Sequence, residues 1–205
     1  MKCIDLTHTI MDRLPPYPGD NETQLLNTKQ FETDGYSNHR LKIDMHSGTH
    51  IDSPMHLTDS KEYICEYPPE SFIGEGCIID VRNRPVIKLK KEYETKIKEG
   101  CILLLYTGMY HKFGTEEYFN THPVVDMEFA QFMVERKIKI LGMDTPSPDK
   151  PPFSVHKLLL KSKIFILENL TNMEELLEAK KFEVIALPLK IKADSSISRV
   201  VARII

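Results

Sequence analysis

The sequence predicts an α/β fold layered on a mixed sheet, and three observations carry that prediction. Short apolar runs recur along the chain: "GCIIDV", "GCILLLYTG", "KIKILGMD", "SKIFILENL" and "FEVIALPLKI". Each has the length of a buried strand and is bounded by turn or charged residues. Helical patterns lie between them in the second half, whereas the first half is rich in strands and loops. That unequal division argues against an all-parallel, doubly wound sheet. Finally, the chain has no glycine-rich phosphate loop of the G-x-G-x-x-G or P-loop type.

The elements follow in order. "KCIDLTHTI" has strand character and stops before the turn-rich "LPPYPGD". "HRLKIDMHSG" alternates Leu41, Ile43 and Met45 with polar neighbours, the pattern of a half-buried strand. "VDMEFAQFMVERK" sets Met127, Phe129, Ala130, Met133 and Val134 near one helical face. "TNMEELLEAKKF" predicts a helix capped by Thr171 or Asn172, and "ISRVVARII" predicts a closing strand. No repeat, low-complexity linker or composition break divides the 205 residues, so a single domain spanning 1–205 is expected.

Composition narrows the function classes. Hydrophobic residues at 41% and charged residues at 28% describe a globular chain. A net charge of −3 offers no footprint for nucleic acid or an anionic membrane. The lysines of "VIKLKKEYETKIKEG" alternate with glutamates and read as a solvated face. No apolar run approaches the roughly 20 residues that span a bilayer. Asp5 interrupts the N-terminus too early for a secretory signal, so a cytoplasmic location is expected. Cys3, Cys65, Cys77 and Cys101 are scattered, which argues against a cysteine-based zinc site. Cys77 and Cys101 sit in apolar runs as buried thiols.

The chemistry concentrates in "MHSGTHIDSPMH". His46 and His50 are four apart, with Asp52 two further on and His56 four beyond that. A zincin-like helix is disfavoured by Gly48, Thr49 and Pro54. A straight strand is disfavoured as well, because Cα atoms four apart lie roughly 13 Å from each other. The chain must bend, and Gly48 can supply the bend. His46 is therefore expected at a strand end, with His50 and Asp52 in the following turn. Two imidazoles and a carboxylate suit zinc, manganese or iron and leave room for water. A second region, "GMDTPSPDK" followed by "PFSVHKLLLKSKIFILENL", places His156 at a helix start and Glu168 at the end of a buried strand. A carboxylate there is costly unless it is paired or bound to metal.

With both regions in view, the chain resembles the cyclase family of metal-dependent hydrolases, which includes bacterial kynurenine formamidase and isatin hydrolase. The family motif H-x-G-T-H-x-D-x-P-x-H is matched at His46, Gly48, Thr49, His50, Asp52, Pro54 and His56. "IDLTHTI", "PPYPGD", "GMDTPSPD" and "ALPLKIKADSSISRVVARI" extend the resemblance over nearly the whole chain. It implies a swivelling β/β/α domain, usually a homo-oligomer such as a dimer or tetramer. His46, His50 and Asp52 would hold one divalent metal ion, zinc or alternatively manganese. His156 and Glu168 would complete a second site, bridged by Asp52 and Glu168. His56 would be the general acid/base, although its spacing also allows a third imidazole ligand. Tyr17 would lie against a small-molecule substrate.

The implied reaction is hydrolysis of an amide, formamide or lactam carbon–nitrogen bond by a metal-activated water. A metal- or ligand-binding protein without turnover is the alternative. The chain departs from the family in having no tryptophan. Tyr17 and Met109, in "TGM", stand where tryptophan is common, and both positions are expected to touch the substrate pocket. His8, His39, His111 and His122 fall outside the constellation. Asp144 is a candidate hydrogen-bond partner for a metal histidine.

Overall fold

The computed structural model describes residues 2–205. Its first half holds β1 (Lys2–Asp5), β2 (Gln24–Lys29), α1 (Phe31–Asp34), β3 (Asn38–Lys42), β4 (His50–Asp52), β5 (Ile73–Asp80), β6 (Val86–Ile87) and α2 (Lys91–Lys96). There follow β7 (Ile102–Tyr106), α3 (Glu116–Thr121), β8 (Val124–Val125), α4 (Met127–Glu135), β9 (Ile140–Met143), α5 (Ser154–Lys161) and β10 (Phe165–Glu168). The last three strands are β11 (Phe182–Ile185), β12 (Ser195–Ile197) and β13 (Val201–Ile204).

Nine strands form one mixed sheet in the order β1-β13-β11-β5-β7-β9-β10-β4-β12. Its centre, β5-β7-β9-β10, is parallel, and both flanks are antiparallel. Four of the five apolar runs map onto that centre, whose faces are both covered, while "FEVIALPLKI" supplies β11 on the antiparallel flank. Leu103, Leu105, Leu141 and Ile166 pack into one core with Phe129, Met133, Leu159 and Leu160 of the helices. The alternate residues, among them Ile102, Leu104, Ile140 and Leu167, pack into a second core with Phe72 and Val184. The sheet curls far enough for the chain beyond β1 to meet the chain beyond β10. Thr7 bridges Leu170, and the Thr171 N–H donates to the Leu6 carbonyl at 3.1 Å.

The structure differs from the sequence expectations in several places. β3 is exposed along its length and pairs only with β2, in a separate hairpin. Alternation on a two-stranded ribbon therefore does not mark a core face, and Leu41 is exposed. The helix expected from Thr171 is one 3-10 turn, Met173–Leu176. Asn172 does not cap it; its side chain donates instead to the Asp5 carbonyl at 2.8 Å. On α4, Met127 is exposed and Phe132 takes its place in the core. Cys101 is buried as expected, but Cys77 is only partly so. No helix among the described residues is long and apolar enough to cross a membrane.

Close packing across the sheet depends on glycine at Gly76, where a Cβ would fall 2.0 Å from the buried Phe182 ring. Gly76→Ala is expected to destabilise the fold by about 1–3 kcal/mol, because the buried ring or the strand must shift to admit the methyl group. Urea unfolding with an unchanged m-value reads this out. An unchanged midpoint would show that Phe182 repacks freely.

Candidate metal centre

The opposite sheet flank builds the centre. His50 and Asp52 are two apart on β4, so their side chains share one face. Antiparallel pairing with β10 sets Glu168 directly opposite His50, across 118 positions of sequence. The register brings His50 Nε2 to 3.3 Å from Glu168 Oε2 and 3.5 Å from Asp52 Oδ1. This inverts the expected placement: His50 and Asp52 are on the strand, and His46 is in the turn before it. The bend does lie at Gly48, whose φ is +61° and where a Cβ would fall 2.9 Å from Leu14 Cδ2. It folds His46 back so that its Nδ1 lies 2.9 Å from Asp52 Oδ1. His156, near the start of α5, reaches Glu168 Oε1 with Nε2 at 3.2 Å.

The sequence-predicted residues His46, His50, Asp52, His56, His156, Glu168 and Tyr17 all line one cavity of about 270 Å³. Phe113, Phe119 and Phe153 give it aromatic walls, and Tyr17 sits edge-on to Phe119 at 5.9 Å between centroids. Met109 does not line this cavity. It lies on a 3-10 turn beside a separate depression with Arg82 and Tyr106. Asp144 touches no histidine of the centre either. It accepts from the Thr107 N–H (2.8 Å), the Thr107 hydroxyl (2.7 Å) and the Gly108 N–H (2.7 Å), bracing the turn after β7. His8 stacks on Phe113, and burial pushes its pKa down to about 4. His122 is buried, and its Nδ1–H donates to the Phe119 carbonyl.

Three residues that the sequence did not single out orient the histidines. Asp149 Oδ1 accepts from His156 Nδ1–H at 2.5 Å, while its Oδ2 accepts the Val155 N–H at 2.7 Å at the head of α5. Asp194, just before β12, accepts from His46 Nε2–H at 2.9 Å and from His56 Nδ1–H at 3.2 Å. Asn169 follows Glu168 and donates to the Gly48 carbonyl at 2.9 Å. That same carbonyl accepts from His50 Nδ1–H at 2.8 Å. A carbonyl can only accept, so neutral His50 carries its proton on Nδ1 and turns the Nε2 lone pair toward Asp52 and Glu168.

The donor chemistry fits a cation. His50 Nε2 and Asp52 Oδ1 are fully buried, and although His46 Nδ1 lies 2.9 Å from Asp52 Oδ1, neither atom has a partner in hydrogen-bond geometry. Buried polar atoms without a hydrogen bond are costly, and two that converge suit a shared cation. Two groups of potential ligands have atoms within 4.8 Å of one another: His46, Asp52 and His56, and His50, Asp52 and Glu168. Both consist of imidazole and carboxylate, and Asp52 belongs to both. The carboxylates draw positive charge onto their neighbours. At His46 burial opposes the imidazolium, but Asp52 and Asp194 outweigh it and raise the pKa to about 11. Burial is likewise outweighed at His156, where Asp149 and Glu168 raise it to about 10. Hydrogen bonds from His46 and His56 hold Asp194 well below the usual carboxylate range.

Known proteins resemble this chain in sequence and in fold. The model of the family described as "Putative cyclase" matches residues 4–150. A kynurenine formamidase of Bacillus cereus is 33% identical over 206 residues, covering 98% of this chain and 96% of that protein. The Bacillus anthracis kynurenine formamidase is 32% identical over 209 residues, covering 98% and 97%. Among solved structures, isatin hydrolase A from Labrenzia aggregata, bound to benzyl benzoate, superposes with a TM-score of 0.87 at 25% identity, covering 99% of this chain and 93% of that one. The family model, the relatives and the superposition agree, and the chain belongs to the cyclase family.

Proposed function

We propose that this chain is a metal-dependent hydrolase that cleaves the carbon–nitrogen bond of an amide, formamide or lactam carried on an aromatic ring. The observation that carries the reading is the pair of unpartnered buried atoms, His50 Nε2 and Asp52 Oδ1, facing Glu168. The family relatives named as a formamidase and an isatin hydrolase support amide-type hydrolysis. The aromatic walls and the cavity volume of about 270 Å³ support a small ring-bearing substrate.

In this reading His46, His50 and Asp52 would hold one divalent ion, and His156 and Glu168 would hold a second, with Asp52 and Glu168 available to both. Imidazole with carboxylate suits zinc first and manganese next. When bound, the ions supply a water of lowered pKa and a Lewis acid for the carbonyl oxygen. His50 Nδ1–H and His156 Nδ1–H are committed to Gly48 and Asp149, so both Nε2 atoms are free to ligate. Asp194 holds Nδ1–H of His56 and leaves its Nε2 as the proton acceptor. Once charged there, the imidazole can return a proton to the departing nitrogen. Tyr17 closes one wall against the substrate ring. Cys77 and Cys101 remain free thiols, which suits a reducing cytoplasm. The exposed Leu26, Phe31, Tyr36 and Leu41 of the β2–β3 arm suit a homo-oligomer.

A second reading of His56, as a third imidazole on the first ion, is favoured by the close grouping of His46, Asp52 and His56. His56→Ala separates the two. Under the acid/base reading the purified variant keeps its full metal content, and turnover of a formanilide falls about 10²–10⁴-fold. Loss of metal in elemental analysis would make His56 a ligand instead.

Zinc must displace the protons that His46 and His156 hold. Its affinity is therefore expected to rise with pH between about 6 and 8, by about tenfold per pH unit for each proton displaced. Calorimetric titration in buffers of different ionisation enthalpy is expected to show net proton release. Affinity independent of pH would contradict the ligand assignment.

A further inference from the structure

The two halves of the centre come from sequence segments more than a hundred residues apart, yet the ligand atoms converge within a few ångströms. Besides the His50–Glu168 contact, Asn169 links the segments through both its side chain and its backbone. Asn169 Nδ2 donates to the Gly48 carbonyl at 2.9 Å, and the Asn169 backbone carbonyl accepts from the Thr49 hydroxyl at 2.6 Å. Asn169 therefore holds the bend between His46 and His50 from the residue next to Glu168. Its own backbone is in the left-handed region, φ +55°, a conformation asparagine tolerates better than most residues.

An asparagine amide could face either way, but here the surroundings fix it. The Gly48 carbonyl only accepts, so Nδ2 must face it. The other end, Oδ1, accepts from the Tyr118 hydroxyl at 2.6 Å. Tyr118 is fully buried on α3, edge-on to Phe113 and Phe119, two of the aromatic walls of the cavity. A one-directional relay results: Tyr118 O–H to Asn169, Asn169 N–H to Gly48, and the Gly48 carbonyl shared with His50 Nδ1–H. Neither Tyr118 nor the Asn169 side chain is required by the proposed reaction, and Tyr118 lies outside the cavity lining.

We propose that Asn169, clamped by Tyr118, is a positioning residue that sets the Gly48 carbonyl and through it presents His50 Nε2 to the metal. The inference rests on the metal-hydrolase reading above and identifies what gives that centre its geometry. Tyr118 acts only through Asn169, so the two must show coupled rather than independent effects.

The test compares wild type, Tyr118→Phe, Asn169→Ala and the double variant. Zinc affinity is measured by competition with a chromophoric chelator, alongside visible absorption of the cobalt(II)-loaded proteins. Partners of metal histidines are worth about 10–100-fold in affinity. Tyr118→Phe is expected to weaken zinc about tenfold and Asn169→Ala by up to about a hundredfold, both with altered cobalt absorption. The double variant is expected to be no weaker than Asn169→Ala. Tyr118→Phe removes one hydroxyl and keeps the ring, so it remains decisive if Asn169→Ala folds poorly. Wild-type zinc affinity and an unchanged cobalt spectrum in Tyr118→Phe would overturn the inference, as would losses that simply add in the double variant. A wild-type protein that binds neither metal would overturn the hydrolase reading itself.

Discussion

Two carboxylates buried side by side set the terms for this protein. Asp52 and Glu168 are almost completely removed from water and lie on neighbouring strands around the same imidazole. Each alone is costly to bury as an anion, and together they repel. Burial acts to keep both carboxyls neutral, but the surrounding histidines outweigh it and hold both below their ordinary values. The site is thus built to concentrate positive charge, and the fold around it has the task of holding that charge in place.

The scaffold does so from the antiparallel flank of the sheet rather than its parallel centre. β4 is only three residues long, yet it is paired on both sides, by β10 and β12. The β10 register delivers Glu168 opposite His50, and the β12 register delivers Ser195 opposite Asp52, with Asp194 one residue before it. A one-residue slip in either strand would turn these side chains to the other face. Around them Asp149, Asp194 and Asn169 occupy the ring atoms or backbone groups that the histidines do not offer inward. Each constraint removes an alternative tautomer or rotamer, and the converging lone pairs are the outcome.

Much of this was legible in the sequence for physical reasons. The spacing from His46 to His56 forces a bend, and glycine at Gly48 permits it. Glu168 drew notice because a carboxylate ends an otherwise apolar strand, and His156 because it opens a helical stretch, but only the family resemblance joined them to the site. The β4 strand was misread as a turn, because three residues are too few for alternation to register. Asp194 lies in the polar run "KADSS" and Asp149 in "SPDK", where acidic residues are ordinary. Only the pairing of distant strands reveals their partners. Asp144 was the acidic partner expected, and no local pattern points to Asp149 in its place. The expected helix after Thr171 fails because Asn172 turns back to the Asp5 carbonyl in a left-handed conformation. That tertiary hydrogen bond overrides the capping preference.

The central claim is that Asp52 belongs to both halves of the centre. It is tested most directly by counting zinc per chain in Asp52→Ala and His46→Ala beside wild type, using elemental analysis after equilibration with excess zinc. Loss of both ions from Asp52→Ala, with at least one retained by His46→Ala, is the predicted result. An Asp52→Ala protein that keeps as much zinc as His46→Ala would contradict it.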